Sequence, residues 1–280
     1  MKRLPAPTEI PVDIFLLCID RIRDPFLKAR LTACQHLINT AAIEFHTKAA
    51  LHQTFQIASE NIVNTNVTAD ELSDVYTLRM EKKKTPGRLL YEKIKASSPN
   101  DICPICGHRI VSTLDHYLPK ALYPRLSVVP INLVPCCSDC NKTKLHNTAS
   151  RPEEETLHPY YDNIDTVIWL KAQVLHTTPP SILYSVDSHH SWNAVLAERV
   201  ENHFNTFEIN KLYSSQAAVE LSSINYRLEK LFTIGGADSV RQHLEESAES
   251  AVHANKNSWQ SALYNALFED AWFCNAGFRF

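Results

Sequence analysis

No apolar run in the 280 residues approaches the roughly 18–20 needed to cross a bilayer. A signal segment is lacking too. Met1-Lys2-Arg3-Leu4-Pro5 leads straight to Pro7, Glu9 and Asp13, with no apolar stretch and no small-residue cleavage site. These absences exclude the membrane and secreted classes from the reading and leave a cytoplasmic protein as the expectation. Glycine is scarce, at five residues, and there is no low-complexity tract or visible repeat. What remains is a chain with 44% hydrophobic and 21% charged residues, long enough for one large domain or two modest ones with a real core.

The eight cysteines are not spread as a disulfide framework would spread them. Cys103, Cys106, Cys136, Cys137 and Cys140 fall within 38 residues, while Cys18, Cys34 and Cys274 lie in apolar surroundings. This is the pattern of a local metal site. Charge is also uneven. Between Arg79 and Arg151 there are 13 Lys and Arg against 5 Asp and Glu, whereas the rest of the chain carries 15 against 26. A polyanion is drawn to the middle and repelled by the flanks. A run such as Lys82-Lys83-Lys84 alone is most simply a solvated face. It gains meaning from lying in the basic third that also holds the cysteines.

The flanks read as helical. Val12 to Arg23 is a short apolar-rich stretch, and Asp24-Pro25 looks like an N-cap followed by proline at the first helical position. Phe26, Ala29, Ala33, Leu37, Ala41, Phe45 and Ala49 then recur at three- and four-residue steps, predicting a single helix of roughly 30 residues. Thr68 and Glu71 have capping-box spacing, and a further helix is expected at about Gly87 to Ala96. After the cysteines, Val167–Leu175 and Ile182–Val186 read as short strands. Helical patterns follow through Trp192–Phe204, Leu221–Leu231 (ended by Gly235-Gly236), Val240–Ala251 and, capped by Ser258, Trp259–Leu267. The aromatic residues of this tail are expected in its core.

Cys103-Pro104-Ile105-Cys106 and Cys137-Ser138-Asp139-Cys140 form two CxxC knuckles 30 residues apart. A two-residue gap lets both thiolates of a knuckle face one ion, and two knuckles complete a tetrahedral four-thiolate Zn2+ site. Such a closed site is structural. Cys136 reads as a small buried neighbour.

Between the knuckles lie Leu114-Asp115-His116-Tyr117-Leu118-Pro119-Lys120 and Ile131-Asn132-Leu133, and the second knuckle continues as Asn141-Lys142-Thr143-Lys144. Over about 45 residues this order closely resembles the HNH nuclease family: an Asp-His pair, a hydrophobic-Asn-Leu step, and a CxxC followed at once by Asn. The resemblance implies an α+β, mostly helical protein with a central ββα-metal finger, flanked by helical regions. The expected segments are 1–98, 99–162 for the core and its extension, and 163–280.

It further implies His116 as general base, Asp115 and Asn141 as ligands of a catalytic Mg2+ or Mn2+, and Asn132 as the residue that ties the loop and orients His116. These roles agree with imidazole as a proton acceptor at neutral pH and with oxygen ligands for a hard cation. Lys120, Lys142 and Lys144 are expected to contact phosphates. Some family members carry another metal-binding His four residues past the position of Asn141. Here Leu145 stands there, with His146 next, so two protein ligands are favoured. The overall layout and Leu157-His158-Pro159-Tyr160-Tyr161-Asp162 resemble the HNH subunit of Septu-type antiphage systems, some of them retron-associated, which act with an ATPase partner. His158 is expected to pack its turn. The implied activity is an endonuclease, on DNA by default. RNA, including transfer RNA, is the alternative substrate, and a non-catalytic zinc-stapled binding module or adaptor is the alternative class.

Overall fold

The computed structural model describes every residue except Asn61, Thr65, Leu145, His146, Asn147 and Phe280, so the expectation about His146 lies outside the described residues. The chain is mostly helical α+β, and its described residues form three two-stranded antiparallel sheets. It divides into two compact units, Met1–Asn163 and Ile164–Phe280. Among the described residues no helix is long and apolar enough to cross a membrane.

In the first unit, α1 (Pro11–Ile19) buries Ile14, Phe15, Cys18 and Ile19. Helix α2 (Pro25–Ala33) starts where expected: the Asp24 carboxylate accepts from the backbone N–H groups of Phe26 and Leu27, and Pro25 occupies the first turn. The predicted 30-residue helix is nevertheless two helices. The chain breaks at Cys34, and α3 (Gln35–Ala50) takes over. The break also corrects the predicted apolar face. Phe26, Ala29 and Ala33 are exposed, and the buried line runs through Leu31, Cys34, Ile38, Ala41, Phe45 and Ala49. Small alanines fit either face, so their spacing could not decide between them.

Strands β1 (Ile62–Asn64) and β2 (Val67–Thr68) precede α4 (Ala69–Asp74), which opens with the Thr68–Glu71 capping box in both directions. A π-helical turn, Val75–Met80, follows, then α5 (Arg88–Lys95), whose Leu90, Tyr91 and Ile94 are buried. Helix α5 packs on both strands of the central sheet. That sheet pairs β3 (Thr113–His116) with β4 (Leu133–Cys136) and leads into α6 (Ser138–Lys144), a ββα unit. The N-terminal residues strap onto it: Lys2 N–H donates to the Pro104 carbonyl and Leu4 N–H to that of Pro159.

The second unit opens with the hairpin β5 (Leu170–Leu175) and β6 (Ser181–Val186). Helices α7 (Ala194–Thr206), α8 (Ile209–Asn255) and α9 (Trp259–Glu269) follow, with α8 broken at Gly235 and Gly236. Trp169, Tyr184, Tyr213, Trp259 and Phe273 are buried, whereas Tyr226 is exposed. The Asn257 amide accepts from Trp169 N–H and donates to the Val167 carbonyl, joining the start of the hairpin to the α8–α9 turn.

Candidate active site and metal centre

The four thiol sulfurs of Cys103, Cys106, Cys137 and Cys140 lie within 4.8 Å of one another, and all four residues are buried. Both knuckles are built as their spacing predicts. In the first, Gly107 N–H donates to the Cys103 carbonyl and Arg109 N–H to the Cys106 sulfur. Gly107 sits at φ 65°, where a side chain would be strained. In the second, Cys140 N–H donates to the Cys137 sulfur. An Arg109–Asp139 ion pair of 2.7 Å joins the two turns.

Hydrogen bonds from the neighbouring thiols, Cys103 first, hold Cys137 far below its ordinary pKa and lower Cys106 to about 7. The same mutual hydrogen bonds push Cys103 and Cys140 up, and the four cysteines could hold a zinc ion. Cys136 is buried at the end of β4, paired with Thr113 and outside the four-sulfur group.

The β3–β4 ladder pairs Asp115 with Val134 and His116 with Leu133. Neighbours on a strand point to opposite faces, and the two side chains do so. Asp115 faces α6, where the Lys144 ammonium sits 2.9 Å from its carboxylate and 2.7 Å from the His116 carbonyl oxygen. His116 is 8% exposed and points the other way, its ring 4.4 Å from that of Tyr76 in an edge contact. The His116 Nε2 lies 2.8 Å from the Ser127 carbonyl oxygen. A carbonyl can only accept, so Nε2 carries the hydrogen and Nδ1 keeps the lone pair.

Burial pushes the His116 pKa down to about 3. The Lys120 and Lys144 ammoniums add to the shift, and the Ser127 carbonyl opposes it. A solvated imidazole accepts a proton near neutral pH, and burial among aromatic and main-chain groups is the reason that His116 does not. The imidazole is therefore neutral in the folded protein above about pH 3. Below the unfolded value of about 6.5 the unfolded chain takes up a proton that the native state refuses, so stability falls as pH falls through that window. At pH 5 the loss is expected to be about 2 kcal/mol. Urea unfolding at pH 7.5 and 5.0 checks it: the pH-dependent loss should shrink by that amount in His116→Gln. An equal loss in both proteins contradicts it.

Asn132 is fully buried. Its amide oxygen accepts from Leu118 N–H, and its amide nitrogen donates to the carbonyls of Leu118 and Leu126. Tyr117 N–H donates to the Asn132 carbonyl. One side chain thus pins both ends of the excursion between β3 and β4, and it grips the carbonyl next to that of Ser127, which holds His116. Asn132→Ala removes the partner of the Leu118 N–H and the Leu118 carbonyl, whereas the Leu126 carbonyl still accepts from Val129 N–H, and the expected cost is about 2–4 kcal/mol in chemical denaturation. Asn132→Asp, which keeps the acceptor oxygen, should recover part of it.

Asn141 is half-buried on α6, one turn before Lys144, and α6 packs against β3. Asp115 is engaged by the Lys144 ammonium, and Asn141 offers an amide oxygen on the helix that packs against β3. Lys142 is exposed, as a phosphate contact requires. Lys144 and Lys120 are not available in the way the sequence suggested. Lys144 is 6% exposed and engaged with Asp115. Lys120 donates to the Thr77 hydroxyl at 2.5 Å and lies 4.9 Å from the Tyr76 ring centre, its pKa lowered by burial.

His158 packs its turn, as expected. Its ring lies 4.3 Å from that of Tyr117 and 5.9 Å from that of Phe45, and Tyr160 N–H donates to its Nδ1. Two contributors escaped the sequence reading. Tyr76 is 40 positions from His116 with no motif linking them. Ser127 acts through its carbonyl, which any residue supplies.

The fold and this site define a mostly helical α+β protein whose central ββα unit is clamped by a buried four-cysteine cluster. Among known proteins, protein ea31 of Escherichia phage lambda is 26% identical to this chain over 291 aligned positions. The alignment spans 95% of this chain and 97% of that protein. No family model matches the chain, and no solved structure does.

Proposed function

We propose that the ββα unit is the catalytic centre of a metal-dependent endonuclease that hydrolyses phosphodiester bonds, with DNA as its first substrate. The observation that supports this best is the fixed tautomer of His116, its Nε2–H tied to the Ser127 carbonyl, beside an Asp115 carboxylate that is paired with the Lys144 ammonium. In this reading His116 Nδ1 takes a proton from the attacking water. An imidazole pushed down to about 3 by burial is a weak base. The phosphodiester monoanion beside it raises its basicity, so the base is strongest with substrate in place. With Asp115 and Asn141 as oxygen ligands, bound Mg2+ or Mn2+ would supply charge neutralisation at the phosphate and the leaving 3'-oxygen. Lys144 steadies the Asp115 carboxylate and the main chain of His116. Asn132 holds the loop that orients the ring.

Attack by external water needs no 2'-hydroxyl, which is why DNA is the first substrate, while the same groups also suit RNA. The role in antiphage defence and the ATPase partner rest on the resemblance in layout and in Leu157 to Asp162. The full-length relationship to a phage protein supports treating helical flanks and centre as one working unit.

The test is incubation of plasmid, single-stranded DNA and total RNA with the purified protein, in Mg2+ or EDTA, alone and with an ATPase encoded beside it. Mg2+-dependent cleavage by the wild type and none by His116→Ala is the expected result. A non-catalytic binding module instead gives binding without cleavage in both proteins.

A further inference from the structure

Two of the three lysines that the motif offers to phosphate, Lys120 and Lys144, are engaged inside the protein. The backbone of a nucleic acid therefore needs other cations near His116. The chain that supplies the Tyr76 contact to the His116 ring continues directly into Lys82-Lys83-Lys84. All three are exposed, and among the described residues none of them makes an ion pair. The Glu92 carboxylate is already engaged. It pairs with Arg88 and Lys95.

The loop is also held in shape. Glu81 N–H donates to the Tyr76 carbonyl at 2.8 Å, Thr85 hydroxyl to the Lys82 carbonyl at 2.7 Å, and the Arg88 guanidinium to the Glu81 carbonyl. Its far end is fixed by Gly87, where a Cβ would fall 2.7 Å from both the Arg79 carbonyl oxygen and the Cys18 sulfur. Lys84 adopts φ 67°, an uncommon conformation for a lysine and one that this bracing maintains.

We propose that residues 81–87 form a docking track for a nucleic-acid phosphodiester backbone, with Lys82, Lys83 and Lys84 as its phosphate contacts. The proposal rests on the nuclease reading for the class of ligand. The π-helical turn Val75–Met80 leads from Tyr76, at the His116 ring, directly into the track, so the track and His116 are served by one continuous segment. Unpaired, pre-positioned ammoniums bind without first breaking an internal ion pair and release counterions from the polymer.

The experiment measures binding of fluorescent 30-base-pair DNA and of single-stranded RNA of equal length, in Mg2+-free buffer, across salt concentrations. It compares wild type, Lys82→Gln/Lys83→Gln/Lys84→Gln, and Lys28→Gln/Lys171→Gln/Lys211→Gln, which removes the same charge elsewhere. The track variant should lower the slope of log affinity against log salt by roughly 2 to 3, and the control by less than about 1. The DNA and RNA arms show which polymer loses more. A slope like that of the wild type or the control, or no binding by the wild type, overturns the track. Cleavage is scored separately. A wild type that binds steeply but never cuts defeats the nuclease reading and leaves the track standing, and unchanged binding in a protein that cuts does the reverse.

Discussion

Removing zinc, or replacing Cys140 with Ser, is expected to unfold the central ββα unit and release the N-terminal strap. The two knuckles supply four buried sulfurs within 4.8 Å, and the segment between Cys103 and Val111 otherwise depends on turn hydrogen bonds, the isolated bridge between Ile102 and Ile110, the Arg109–Asp139 ion pair and the buried Ile105 and Val111. Structural zinc in such sites contributes about 10 kcal/mol or more, comparable to the whole stability of an ordinary domain. Without the ion, four closely packed thiols must share protons in a buried space, the arrangement that pushes Cys137 down and Cys103 up to about 12.

Metal analysis should find one zinc per chain in the wild type and none in Cys140→Ser. Cobalt substitution should give the absorption of a tetrahedral thiolate site. Hydrogen exchange should rise through β3, β4 and α6 and at Lys2 to Leu4, while the second unit, Ile164–Phe280, serves as the internal reference. A zinc-free protein with unchanged melting and exchange would refute the structural role.

The second large effect is kinetic. Under the nuclease reading, His116→Ala removes the group that takes the proton from water, and a positioned general base contributes typically about 10²–10⁴-fold in rate. The substitution also leaves the Ser127 carbonyl and the Tyr76 ring edge facing a void, so a fall in stability is expected beside the fall in rate. The two are separated by measuring cleavage well below the variant's melting temperature and by confirming that zinc content and nucleic-acid affinity are retained. Cleavage that survives at more than about a tenth of the wild-type rate would be incompatible with His116 as base.

Much of this site was legible because its signals are local. A CxxC turn brings two sulfurs to one point whatever the remainder of the chain does, and strand alternation around Asp115 and His116 is a property of β3 alone. The Asp24 cap, the Thr68–Glu71 capping box and the α9 start at Ser258 were legible for the same reason: each is satisfied within four residues. The break at Cys34 was not, because alanine-rich steps from Ala29 to Ala49 suit several faces and only packing against α1 selects one.

What the sequence by itself determined is the donor chemistry: four thiolates in two knuckles, an Asp-His pair, a loop asparagine, and a basic middle third. Tertiary structure alone decided what those groups are free to do. It turned Lys144 inward onto Asp115, set Lys120 against Tyr76 and Thr77, and drew a tyrosine 40 residues away onto the His116 ring. It also lowered the pKa of His116 by excluding water from it. The physical reason is that charge and hydrogen bonding depend on burial and on neighbours distant in sequence, which no spacing encodes. The cations named by the motif were therefore partly taken up inside, while a lysine run with no motif at all was left open to solvent.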